Sequence, residues 1–521
     1  MKGQLFSLLA TALFGATRAT GDDILGGGHG FKELSEMSGR SPAPACSNAC
    51  STLSNIFNDR VASSGDPDYI NWGSTFWSQQ QGLVEPHCVF QPSNASDVST
   101  ALLVLQEEQC PFAIRSGGHA AFSGASNIDA GVTFDMRAMN ATVLSSDRKT
   151  AHVGSGAVWK SVFTALEPEK LAVIGGRVSN IGVGGLTLGG GISFFSGQYG
   201  WACDNVENYE VVLADGDIVN VNIDSFPDLY WALRGGGNNF GIVTRFDLKT
   251  FEQGLMWGGS RLYPMQYNDS IVDALVNFGE NADTDPKAAL ILSFAYAQGQ
   301  FFANADIEYA EPVADPPIFD DFKEIPAIID SMAIRSLPNI TDKFEQVNPS
   351  GLRESYWTAT YKLDKALAMF VANTFMEEIE PVSGAQALVP SAVLQVITPD
   401  VIIHMEKNGG NALGLSASDG PLMLLNVAIM WADPADDEAI LQAASNIVSR
   451  TIAKAKEMGL DYDYLYMNYA SQFQDVIPSY GHENHKRLRD ISRKYDPDQV
   501  FQKLQPGYFK LNGGPPEEEE Q

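Results

Sequence analysis

F-A-I-R-S-G-G-H-A-A-F-S-G-A-S-N, residues 112–127, is the stretch on which the reading of this chain turns. An apolar strand end, Phe112-Ala113-Ile114, runs into Arg115-Ser116-Gly117-Gly118-His119. Two adjacent glycines let the backbone turn sharply and bring its N–H groups close to a ligand. Successive N–H groups in such a turn form a concave anion site suited to a phosphate. His119 is then held beside whatever the turn binds. Alone, the pentapeptide reads as an ordinary polar turn in which His119 happens to lie, because short motifs have a high false-positive rate. Its surroundings decide.

Upstream, Asp97 to Gln106 has helical spacing, with Ser96 or Asn94 as N-cap, and Cys110 to Ile114 is a short strand. Downstream, Val132 to Met136 and Ala151 to Trp159 have strand character, and Val158 to Glu167 reads as a helix. Gly175 to Gly200 then packs ten glycines into 26 residues while staying apolar. Clustered glycine in apolar sequence points to backbone lying against something flat or bulky rather than to a linker. Neither a dinucleotide fingerprint with its acidic residue nor a phosphate-loop G-x-x-x-x-G-K is present. Tyr209 to Asn222 is a hairpin turning at Asp215-Gly216, and Asp228 to Phe246 reads as helix start, glycine turn and strand. Strands and helices mix irregularly, so the fold class is α+β rather than a doubly wound sheet.

Near residue 255 the texture changes. Residues 255–460 alternate strands (Ala288 to Tyr296, Leu422 to Trp431) with longer amphipathic helices such as Asp437 to Met458, and glycine falls away. This is a second domain. Residues 461–511 return to aromatics and a last helix, Glu483 to Tyr495; the tail from 513 is Pro- and Glu-rich and reads as disordered.

The N-terminus has Lys2, an apolar run from Leu5 to Ala16 and small residues near Ala19, the pattern of a secretory signal over 1–19 that is too short to span a bilayer. Residues 20–65 follow as a partly flexible leader. Secretion makes the five cysteines disulfide candidates. Four of them, Cys46, Cys50, Cys88 and Cys110, precede or enter the central motif, so two bridges are expected there, leaving Cys203 over. A zinc site is not supported, since no second cysteine pair follows Cys46 and Cys50. Sequons at Asn94, Asn140, Asn268 and Asn339 are N-glycan sites in a secreted chain. A formal charge of −30 argues against nucleic acid as a partner, and no later apolar run is long enough to anchor the chain in a membrane.

Five motifs then occur in order: R-S-G-G-H at 115–119, G-V-G-G-L-T-L-G-G-G at 182–191, Y-G-W-A-C-D-N-V at 199–206, R-G-G-G-N-N-F-G-I-V-T at 234–244 and Y-M-N-Y at 466–469. With them, over residues 45–511, the chain resembles the berberine-bridge-enzyme-like FAD-linked oxidoreductases of the vanillyl-alcohol-oxidase (PCMH-type) superfamily, and is most similar to secreted fungal members. The resemblance implies a PCMH-type FAD domain of two α+β subdomains, 66–255, completed by 461–511. Inserted between is a substrate domain, 256–460, with an antiparallel sheet covered by helices.

It further implies that FAD is bonded through its 8α-methyl to His119, with Arg115, Ser116, Gly117 and Gly118 cradling the pyrophosphate. Ser179, Gly182, Gly184, Gly185, Leu186, Gly189, Gly190, Gly191, Asp204, Asn205, Val206, Gly241, Ile242, Val243 and Asn468 join the cofactor site. Many members add a second link from a cysteine; Val178 stands at that position, so one link is expected. Ile181 stands where the family tunes oxygen access. Tyr466, Tyr469 and Tyr199 are the catalytic candidates on the substrate face. His29, His87, His152, His404, His482 and His485 lack such context and read as structural. A carboxylate base is expected from the inserted domain, where nothing separates Glu377, Glu378, Glu380 and Glu406 from a solvated face.

The expected function is hydride transfer from a small organic substrate, of secondary-metabolite type, to FAD, with oxygen or another acceptor taking the electrons and the enzyme acting as a secreted monomer. An oligosaccharide oxidase releasing lactone and hydrogen peroxide is the alternative enzyme; a non-catalytic flavin-loaded binding protein is the alternative outside enzymology.

Overall fold

The computed structural model describes residues 43–515; the expected signal sequence, most of the leader with His29, and the last six residues lie outside that range. Of the leader expected to be partly flexible over 20–65, residues 43–65 fall within the described range. Ala43–Phe57 is a helix. Cys46, Ala49, Cys50 and Leu53 recur at helical spacing and are all buried, and both cysteines face inward to bond. The bridges are Cys46–Cys110 and Cys50–Cys88, and Cys203 is a buried free thiol. The helix is thereby stapled to the strands that lead into the 115–119 turn.

Three sheets organise the described residues, and the architecture is α+β. The first has Val61–Ser63, Cys88–Phe90, Val132–Asp135 and Phe112–Arg115 side by side, the last three mutually parallel. Helix Ala95–Glu107 makes the crossover, capped by Asn94, whose side chain accepts from the Asp97 N–H. The second sheet is antiparallel and centred on the long strand Ile242–Glu252, which pairs with Thr150–Gly154, Val206–Val212 and Leu171–Val173. The expected hairpin is present, with Val206–Val212 paired to Ile218–Val221. Glycine does bring backbone against a flat surface: a Cβ at Gly175 or Gly176 would fall within 2.2–2.5 Å of the buried Trp159 indole.

The third sheet has nine strands, all antiparallel, from Met256–Pro264 to Asp461–Tyr462. Alternation along each strand sorts its side chains to two faces. In Ala288–Ala297, Leu290, Leu292 and Phe294 join a core shared with helices Asn268–Asn281, Lys365–Ile379 and Asp437–Met458. Ile291, Ser293 and Ala295 point the other way, into a cavity. Gln300–Tyr309 repeats the pattern, with Ala303, Ala305 and Ile307 in the core and Phe302, Asn304, Asp306 and Glu308 on the cavity.

After the third sheet the chain returns to the first two. Helix His482–Tyr495 packs on Pro227–Leu233, with Arg487 over the Trp231 ring at 3.8 Å and Lys494 and Tyr495 donating to Asp228. The Phe112 N–H donates to Leu504 O at 2.6 Å, and Gln505, Tyr508 and Phe509 reach the cavity wall. No helix among the described residues is long and apolar enough to cross a membrane.

Candidate active site

A cavity of about 770 Å³ lies between the loops of the first two sheets and the open face of the third. Its floor is two glycine-containing turns pressed together. A Cβ on Gly117 would sit 2.5 Å from Gly182 N, and one on Gly182 would sit 2.3 Å from Gly117 N. Only backbone fits there. Ser116 locks the pair: its Oγ donates to Ser155 O at 2.6 Å and accepts from Gly184 N at 3.1 Å. Ala157 O and Ile181 O tie the second turn to the start of helix Trp159–Leu166. Ser116, Gly117, Gly118, Gly182, Gly184, Gly185 and Leu186 line the cavity, and so do Gly241, Ile242 and Val243 at the head of the long strand. Such a rim of backbone amides without side chains suits a dinucleotide phosphate.

His119 stands at the end of the first turn. Its ring stacks on Trp77, with centroids 4.1 Å apart and planes 12° from parallel. Nε2 is shielded from solvent yet has no hydrogen-bond partner among the described residues. Burial lowers the imidazole pKa to about 4, against the opposing pull of a backbone contact and of Asn180, so the ring is a neutral nucleophile at physiological pH. An oriented, neutral, unpartnered imidazole on a cavity wall fits a group that bonds to it. Val178 and Ile181 also line the cavity, while Cys203 does not: it is buried against Asp204, and burial raises its thiol pKa.

Over this floor hang aromatic and polar side chains from distant parts of the chain. Tyr469 accepts from Arg177 Nη2 at 2.5 Å and from Gln395 Nε2 at 3.2 Å, while Arg177 Nη1 holds Gln395 Oε1 at 2.6 Å. Tyr356 meets Tyr469 edge-on at 6.2 Å and lies 5.6 Å from Trp77. Tyr466 also lines the cavity, but its hydroxyl accepts from Gly191 N, Ile192 N and Asn468 Nδ2, all near 3.1 Å, and burial raises its pKa. It holds a turn rather than a proton in transit. Asn468 donates also to Leu186 O at 3.0 Å, clamping the glycine wall.

Three carboxyl groups on the third sheet are part of this site and were missed by sequence reasoning. Asp306 accepts from Ser260 Oγ and from Asn304 Nδ2 at 2.9 Å. Glu308 and Glu354 are 1% and 2% exposed, and none of their carboxyl oxygens has a partner among the described residues. Burial raises the pKa of Asp306 and pushes those of Glu308 and Glu354 well up from the ordinary carboxylate range, with Asp306 adding to the effect at Glu308 and Arg177 and Arg335 opposing it. The expected candidates are elsewhere: Glu377 and Glu378 pair with Arg450 on the helical layer, Glu380 and Glu406 are exposed, and none lines the cavity.

Other expected residues also stand behind the wall. Arg115 is fully buried, with its guanidinium 3.7 Å over the Phe76 ring and donating to Thr75 O, and burial lowers its pKa to about 9. It braces the turn and does not line the cavity. Ser179 donates to Glu345. Asp204 accepts from Trp201 N and Asn411 Nδ2, and Asn205 donates to Tyr199 O and Trp201 O; with Val206 and Gly189, Gly190 and Gly191 they form supporting layers. Tyr199 stacks on Phe251 at 4.6 Å, outside the cavity lining, which removes it from the substrate face. Of the other histidines among the described residues, His152 holds Asp247 and His485 contacts Leu511 O.

Comparison with known proteins agrees with this construction. Residues 86–222 match the FAD binding domain family, and residues 465–506 match the family described as berberine and berberine like. The chain is 38% identical over 490 residues to the FAD-dependent monooxygenase tpcD of Cochliobolus heterostrophus, covering 90% of this chain and 95% of the relative. It is 37% identical over 455 residues to the FAD-dependent monooxygenase FUP4 of Fusarium proliferatum, covering 85% and 88%. The fold is shared with 6-hydroxy-D-nicotine oxidase from Arthrobacter nicotinovorans, with a TM-score of 0.73, 19% identity, and coverage of 87% of this chain and 97% of the other. The chain belongs to the berberine-bridge-enzyme-like family of FAD-dependent oxidoreductases, within the PCMH-type flavoprotein superfamily.

Proposed function

We propose that this enzyme is secreted, carries FAD on His119 as its one covalent tether, and oxidises a small, mostly apolar organic substrate held against Tyr469. The observation that carries the reading is the buried, unpartnered Nε2 of His119 on the cavity wall. Bound there, FAD supplies a two-electron oxidant that takes up a hydride and is reoxidised by oxygen or another acceptor. The chain does the rest. The glycine turns at 116–118 and 182–185 would hold its phosphates, with the Gly184 amide already given to Ser116 Oγ and the Val183 amide to Ala157 O. Val178 offers no thiol for a second bond. Trp77 fixes the plane of the His119 ring.

Tyr469 in its anionic form accepts the proton from a substrate hydroxyl and becomes neutral, and Arg177, 2.5 Å from its oxygen, stabilises the anion that serves as the base. Tyr466 and Asn468 hold the wall beneath. The apolar side chains Ile291, Ala295, Phe302, Val393 and Met430 on the sheet face exclude water and offer a polyol few partners, which favours a hydrophobic metabolite over an oligosaccharide. A second reading comes from the names of the two relatives: one oxygen atom of O2 ends in the product. The four sequon asparagines are proposed glycan sites, and Asn94, Asn140 and Asn339 are exposed.

The test is anaerobic mixing of purified enzyme with panels of sugars and of aromatic and polycyclic alcohols, read as loss of the flavin absorbance. Bleaching by hydrophobic alcohols and not by sugars is expected, with a Tyr469→Phe rate lower by about 10²-fold or more. Bleaching by sugars alone contradicts the substrate class; bleaching by dithionite but by no substrate supports a non-catalytic protein. Mass analysis after turnover in ¹⁸O₂ separates oxygenation from dehydrogenation.

A further inference from the structure

Glu308 is a buried acid that the proposed chemistry does not use. It sits on Gln300–Tyr309, paired across the sheet with Gly258 and Ala289. Gly258 leaves room for it, since a Cβ there would be 3.1 Å from Glu308 Cγ. Its carboxyl lines the cavity, is 1% exposed, and lacks a partner at both oxygens. Two cations are near enough to favour its charge, yet both are committed elsewhere. Arg177 donates to Gln395 and Tyr469, and Arg335 donates to Gly258 O and to Ser331 O. Neither forms an ion pair with Glu308. A buried polar group left this way destabilises the fold, and strain of that kind gathers where a ligand completes the bonding.

The charge around it restricts that ligand. A cationic ligand would meet Arg177, Arg335 and Lys343, which also lines the cavity. An anionic one would meet Asp306, two residues away on the same face. A neutral oxygen meets neither objection, and a carboxylic acid can donate to a carbonyl and accept from a hydroxyl at once. The walls nearby, Ile291, Ile340 and Phe344, are apolar. We propose that Glu308 is a specificity-determining substrate contact that binds a neutral hydroxyl or carbonyl oxygen on an otherwise apolar ring compound, at a position other than the carbon oxidised beside Tyr469. This rests on the oxidoreductase reading above and extends it to the substrate class.

Isothermal titration calorimetry of the holoenzyme at pH 6 tests it with three two-ring probes: 4-hydroxybenzophenone, biphenyl-4-carboxylate and 4-biphenylmethylammonium. The neutral phenol-ketone is expected to bind most tightly. Glu308→Leu is expected to weaken it about tenfold, whereas Glu308→Gln, which keeps a donor and an acceptor, stays within about threefold. Glu308→Leu should unfold at the same temperature as wild type or higher, which a structural role for the carboxyl would not allow. Equal affinity in wild type and Glu308→Leu, tighter binding of either charged probe, or no binding of the neutral probe up to its solubility each overturns the proposal. Calorimetry does not depend on flavin, so a protein that denatures without bound flavin contradicts the covalent-tether reading and leaves this result standing.

Discussion

Gly182→Ala separates backbone contact from backbone conformation. Gly182 has φ −72° and ψ 147°, which alanine adopts freely. By conformational entropy alone, alanine would stabilise the fold by about 0.4–1 kcal/mol. The neighbours reverse the sign: the new methyl would lie 2.3 Å from Gly117 N, 2.6 Å from Ser116 Oγ and 2.8 Å from Gly117 Cα. Two of these are backbone atoms, so one turn must move by about 1 Å. Overpacking of that kind costs about 1–3 kcal/mol. Displacing Ser116 from Gly184 N and Ser155 O adds about 1 kcal/mol, giving about 2–4 kcal/mol in all. Gly185→Ala is the control. It lies three residues on, also lines the cavity, and has no atom within 4 Å of its added Cβ. We expect Gly182→Ala to lower both the unfolding temperature and the flavin content. Gly185→Ala should lower flavin content while leaving the unfolding temperature of flavin-free protein unchanged. Equal unfolding temperatures for flavin-free Gly182→Ala and wild type would refute the steric argument.

Other expectations follow from single features. Ile181→Val should speed reoxidation of the reduced enzyme by oxygen, measured by stopped flow; an unchanged rate removes Ile181 from oxygen control. Each disulfide closes a loop, of 64 residues for Cys46–Cys110 and 38 for Cys50–Cys88, so Cys50→Ala/Cys88→Ala should cost about 4 kcal/mol in the chain-entropy account; a denaturant midpoint equal to wild type would contradict this. In flavin-free protein the folded state holds His119 neutral, with a pKa near 4 against 6.5. Between those values the unfolded chain binds more protons, so stability is whole above pH 6.5 and falls towards pH 4. The loss is at most about 3 kcal/mol, and His119→Gln should remove that part of the pH dependence in parallel denaturation curves.

Much of the cofactor floor was legible because glycine spacing reports backbone geometry directly. Backbone laid on Trp159 follows from where a side chain cannot fit, whereas the pairing of the turns at 117 and 182 emerged only in the structure. The cysteine count gave two bridges and a leftover thiol for a similar reason, since the compartment and the parity restrict the outcome. The substrate side was hidden. N-A-D-I-E at 304–308 alternates as any half-solvated strand does, and alternation cannot tell a wet face from a cavity face. Only the register with Met256–Pro264 and Ala288–Ala297 turns Asp306 and Glu308 inward. Arg177 likewise gains its meaning from Tyr469, 292 positions away. Tyr199 misled for the opposite reason: its motif lies in the right region, but its ring is committed to Phe251 behind the wall. The helix at 43–57 was obscured by the Ser/Ala/Pro composition before it and is held by two disulfides whose partners are far along the chain.

The most direct test of the account is the flavin on His119. Purified enzyme is precipitated in acid, digested, and its yellow peptides are mapped by mass spectrometry alongside those of His119→Ala. We predict a yellow pellet, one flavin-bearing peptide with the modification on His119, no modified cysteine, and a colourless pellet for the variant. A colourless wild-type pellet with FAD in the supernatant, or a flavin bonded to any other residue, would contradict it.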